Sequence, residues 1–109
     1  MSEKIKLVQG DTRPQIQTTL TDDTTGLPID ITGATCLMKF RAVGADVLTD
    51  TLNGVVTNGP QGVVVFMWNA MTLDCEPGDY EGEIEITFPS GAGRQTVYDL
   101  LKFKVRAEF

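Results

Sequence analysis

Glu81, Glu83 and Glu85 stand two residues apart, the densest run of acid in the chain. Carboxylates at that spacing share one face of an extended strand, where they can hold a hard cation or divide the work of acid and base. The same side chains serve equally as the solvated face of a strand whose neighbour carries cations. Lys102, Lys104 and Arg106 alternate in the matching way, and we assign the glutamates to that structural role. Asp22, Asp23 and Asp30 suit Ca2+ by type, but no EF-hand pattern surrounds them and turn chemistry accounts for them. The sequence has no histidine, so it lacks the usual general base and the commonest metal ligand. Cys36 and Cys75 fit no metal spacing and are expected as free, mostly buried thiols. No catalytic residue, metal or cofactor is expected. Trp68 and Tyr98 are the aromatic residues that would serve a sugar platform, the alternative function being a carbohydrate-binding module. Trp68 ends a strongly apolar run and is expected in the core or at its rim.

The acidic ladder must be positioned by the stretch that carries it. After Pro77-Gly78, residues Tyr80, Gly82, Ile84, Ile86 and Phe88 take one parity and the glutamates the other, the signature of a half-buried strand. The chain turns at Pro89 to Arg94 and returns with Val97, Leu101, Phe103 and Val105 on one parity. Facing Glu85 with Lys102 also sets Glu83 against Lys104 and Glu81 against Arg106. Ile84 then meets Phe103 and Ile86 meets Leu101, so charge and apolar pattern agree on this hairpin register. Asp99 falls on the apolar parity, as in a bulge or a side chain bonded to loop backbone. Tyr80, just after a turn at the start of a late strand, has the position of a tyrosine corner.

Further strands are expected at Lys4 to Val8, Gln15 to Thr21, Ala34 to Arg41, Thr51 to Thr57 and Gly62 to Trp68. Leu27 to Gly33 runs extended, and Pro28 suggests an edge. Val43 to Asp50 is poorly patterned, and Asn69 to Glu76 has room for one helical turn. No segment keeps a helical period over three turns. The 109 residues, 41% apolar and 22% charged, suit one domain with one core. The expected fold is all-β, an immunoglobulin-like antiparallel β-sandwich of about seven to nine strands. Nine basic against fifteen acidic residues give a net charge of −6, which disfavours nucleic acid and anionic membrane as partners. No apolar run approaches a membrane span and no signal-peptide core is visible, so synthesis in the cytoplasm is expected.

Four stretches together resemble the N-terminal immunoglobulin-like domain family of phage baseplate upper proteins. They are Leu7 to Pro14, Pro28 to Thr35, Gly62 to Phe66 and Pro77 to Ile84. The resemblance implies a non-enzymatic virion protein, a docking module in the baseplate, tail or neck, or a capsid decoration. Its implied partners are other phage structural proteins in a multi-copy symmetric assembly. Longer members of that family continue into segments that reach toward receptor-binding proteins; here Phe109 follows the last strand directly, and only the docking role carries over. The expected contact edges are Ile5 and Leu7 on the first strand, and Ile29 and Ile31 on the extended stretch after Pro28.

Overall fold

The computed structural model describes residues 4–69, 71–97 and 100–109. Among the described residues eight strands form: β1 (Ile5–Val8), β2 (Ile16–Thr19), β3 (Thr35–Ala42), β4 (Asp50–Asn58), β5 (Val63–Phe66), β6 (Gly78–Thr87), β7 (Arg94–Thr96) and β8 (Leu101–Arg106). They are joined in the order β1-β8-β6-β3-β4-β5-β2, with β7 also on β6. No α-helix occurs among the described residues.

The ladder curls upon itself because β4 serves two neighbours. Its Asp50–Asn53 half pairs with β3, and its Gly54–Asn58 half pairs with β5. Gly54 sits at the change of partner. A Cβ there would lie 2.7 Å from Val64 Cγ2 and 2.8 Å from Phe66 Cε1, so the residue must be bare for the two halves to close. Gly62 is required in another way: it has a φ of +71°, and a Cβ would lie 2.6 Å from the Leu20 carbonyl oxygen.

The inward residues of both halves meet in one core, giving a β-sandwich-like arrangement. Cys36, Met38, Phe40, Leu52, Ile84, Ile86, Phe103 and Val105 come from one side; Ile16, Val64 and Phe66 come from the other. Phe40 stacks on Tyr80 with centroids 4.9 Å apart and meets Trp68 and Phe103 edge-on at 5.2 and 5.3 Å.

Three expectations are corrected. The sheet is mixed rather than antiparallel throughout, because β1 lies parallel to β8. In place of the helical turn expected between Asn69 and Glu76, the described residues form a turn at 71–73 and no helix. The return strand is also not one continuous partner of β6. Glu85 faces Thr96 on β7, whereas Glu81, not Glu85, faces Lys102 on β8, and Tyr80 faces Phe103. Between β7 and β8 the register on β6 changes by two residues: Glu85 pairs with Thr96, and Gly82 with Leu101. The slip on β8 is four residues, an even number, so every side chain keeps the face its alternation assigns. Tyr80, Ile84, Ile86, Phe103 and Val105 are all buried. Asp99, the residue that breaks the apolar parity, lies outside the described residues.

Candidate docking surface

Glu81 and Glu85 of the glutamate ladder are paired from the β3 side. β3 and β6 pair antiparallel, with Lys39 opposite Glu83 and Arg41 opposite Glu81. Arg41 approaches Glu81 at 2.7 Å, Lys39 reaches diagonally to Glu85 at 3.3 Å, and Arg94 lies 3.9 Å from Glu85. The Glu81 and Glu85 side chains are only 15% and 14% exposed, so this is a half-covered charge lattice rather than a wet face. A cleft of about 130 Å³ opens among Lys39, Arg41, Leu48, Glu81, Glu83 and Leu100. It holds two basic and two acidic side chains. Such pairs add ~0–1 kcal/mol each and chiefly hold register.

The other residues singled out in the sequence are absorbed by structure. Trp68 is buried, and its Nε1–H donates to the Pro14 carbonyl at 2.8 Å. Phe40 and Phe103 pack edge-on to its ring, so it offers no open face to a sugar, which corrects its place as a platform. Tyr98, the other platform residue, lies outside the described residues. The Tyr80 hydroxyl donates to the Glu76 carbonyl at 2.6 Å, tying the end of β6 to its preceding turn. Burial pushes the Tyr80 hydroxyl pKa up, with further contributions from the Cys75 thiol and Glu76. Cys36 is buried and Cys75 half-buried, both as free thiols. Burial raises the pKa of Cys36.

Asp22 accepts from the amides of Thr24 and Thr25, and Asp30 accepts from the hydroxyl and amide of Thr32. Those bonds, the Thr32 hydroxyl first, hold the Asp30 carboxyl below its ordinary pKa. No group of three potential metal ligands gathers among the described residues. The sequence reading missed Asp50. It accepts from Thr72, a buried hydroxyl, and from Asn69, and so fastens these two residues after β5 to the start of β4. A polar loop residue meeting a strand terminus 22 positions away has no local sequence signal.

What remains at the surface is edges and loop tips. β1 ends the ladder and is open on one side, but Leu7 is buried and Ile5 half-buried. Its surface is therefore main chain together with Lys6 and Val8. The stretch after Pro28 is not an open strand. It makes a single bridge, Thr21 to Pro28; Ile29 N–H donates to Leu20 O, and Ile31 N–H donates to Gly59 O. Ile31 is fully buried and Ile29 half-buried, which removes Ile31 as a contact residue. On the outer face beside β1, Lys6 stands opposite Lys104, and Val8 opposite Arg106. Lys4, Lys6, Lys102, Lys104 and Arg106 bring five of the nine basic residues to this corner. A cleft of about 330 Å³ lies among Lys6, Leu7, Val8, Lys104 and Arg106. Elsewhere Val43, Val47 and Leu48 are exposed on the loop after β3, and Met67 and Met71 beyond β5.

This architecture is shared with a phage protein. The N-terminal domain of phage TP901-1 ORF48 has the same fold. It superposes with a TM-score of 0.66 over 98% of this chain and 86% of that one, at 15% sequence identity. No family model matches the chain, and no curated protein matches its sequence. The likeness therefore lies in the arrangement of strands, and the family that the sequence resembles finds no support from a family model.

Proposed function

We propose that this chain is a non-enzymatic structural protein of a bacteriophage virion, an immunoglobulin-like module that docks onto other virion proteins. The carrying observation is the shared fold with a phage protein's N-terminal domain over nearly the whole chain. A baseplate, tail or neck position is favoured by the sequence resemblance to baseplate upper proteins, with decoration of the capsid as the variant of the same role. The absence of histidine argues against general-base catalysis. Of the carboxylates that suggest chemistry, Glu81 is engaged by Arg41, Glu85 by Lys39, Asp22 by the amides of Thr24 and Thr25, and Asp30 by Thr32. The module has sheet edges and loop tips to offer, which are the parts of a sandwich that bind protein partners. Several copies fixed on a symmetric particle would raise the effective concentration of each weak contact.

The test is mass spectrometry of particles purified from cells that make this protein, beside a glycan array probed with the isolated chain. The protein is expected at stoichiometric level in the particles and without selective glycan binding. Its absence from the particles, or tight selective binding to one glycan class, would overturn the proposal.

A further inference from the structure

We infer that the open side of β1 is the docking edge, and that its occupant is an extended acidic segment of a partner protein, added as a further strand. This rests on the docking role above and names the partner's chemistry. The Gln9 N–H donates to the Arg106 carbonyl at 2.9 Å. Alternation along the strand then turns the main-chain groups of Ile5 and Leu7 toward β8 and those of Lys6 and Val8 outward. The Val8 carbonyl is taken by the Asp11 N–H at 3.1 Å. Two donors and one acceptor remain on the open side without a main-chain partner among the described residues: the amides of Lys6 and Val8 and the carbonyl of Lys6.

Charge selects the occupant. Asp79 is held by Lys4 at 2.9 Å, and Glu81 by Arg41 at 2.7 Å. Lys6, Lys102, Lys104 and Arg106 form no ion pair with any described residue. This stripe repels a second copy of β1, the use that edge lysines commonly have against self-association. It attracts a strand with acidic residues on the outer face, since opposite charges on adjacent strands are favourable. The inner parity of that strand would carry apolar residues beside half-buried Ile5. Nucleic acid fits less well. Phosphate supplies acceptors but no donor for the Lys6 carbonyl, and the chain's net charge of −6 opposes it. The far edge, β2, does not share these features. Its outer side chains are Gln17 and Thr19, and beyond it Ile29 N–H and the Thr21–Pro28 bridge cover the continuing chain.

The experiment titrates the isotope-labelled full chain with a short synthetic peptide of alternating glutamate and valine, observed by NMR. The amides of Lys6 and Val8 should shift and become protected from exchange. Added salt should weaken binding. The pair Lys6→Glu with Lys104→Glu should weaken it at least about tenfold. Val8→Pro removes only an outward donor, a change edge strands tolerate, and should abolish the protection at Lys6. Circular dichroism checks each fold, and the charge pair decides the matter if the proline variant unfolds. Shifts that map elsewhere, binding unchanged by the charge pair, or equal binding of single-stranded DNA of matched charge would overturn the inference. So would absence of any binding. Each of these leaves the virion role standing, which fails separately if the protein is missing from particles.

Discussion

Asp50 shows how a single carboxylate can organise a loop. It accepts from Thr51 N–H at 2.8 Å, from Asn69 Nδ2 at 3.0 Å and from the buried Thr72 hydroxyl. Partial burial raises its pKa, but the bonds from Thr72, Asn69 and Thr51 outweigh that and leave the carboxyl below its ordinary range. A depressed folded-state pKa contributes stability above the unfolded value, about 3.9, and loses it as pH falls through the lower folded value. Asp50→Ala strands the Thr72 hydroxyl and should cost ~1–3 kcal/mol in a denaturant titration near neutral pH. The difference from wild type should shrink as the pH falls below about 3.9. Tyr80→Phe keeps the stack on Phe40 and removes the bond to the Glu76 carbonyl. It should cost ~0.5–1.5 kcal/mol, with no loss of folded structure by near-ultraviolet circular dichroism.

At the level of strands, the two faces of β6 differ sharply in what they hold. Ile84→Ala opens a cavity among buried neighbours and should cost ~2–5 kcal/mol. Glu83→Ala removes a half-covered cross-strand charge and should cost below ~1 kcal/mol. A larger effect at Glu83 in the same titration would mean the faces are exchanged. Gly54→Ala pushes a methyl against Val64 and Phe66 where β4 changes partner, and should cost ~1–3 kcal/mol. The register on β8 is testable by cross-linking. Glu81→Cys with Lys102→Cys should oxidise to a disulfide, whereas Glu85→Cys with Lys102→Cys should not. The alternation of Tyr80 to Phe88 made both faces of β6 legible, because period two survives any even slip. The register was not legible. Lys39 and Arg41 on β3 answer the same glutamates as well as β8 does, and the register on β6 changes by two residues between β7 and β8. The parallel direction of β1 was hidden for a related reason, since an alternating pattern reads the same from either end. Trp68 was legible as core from its apolar run, but the open edge of β1 depends on which strand ends the ladder, a property of topology.

For the whole molecule, function is a matter of what the packing leaves over. The core takes Phe40, Phe66, Trp68, Tyr80 and Phe103, β3 takes Glu81 and Glu85, and the turns take Asp22 and Asp30. The surplus is a basic edge on an acidic protein whose strand arrangement recurs in a phage domain. On the proposed docking role, such a module would act by position and number rather than by turnover. Cryo-electron microscopy of the purified particle tests the central claim most directly. The account predicts density for this fold in symmetric copies on tail, neck or head, with a neighbouring protein strand running beside Ile5–Val8. Particles whose every density is filled by other proteins, with this chain recovered only as a free monomer, would contradict it.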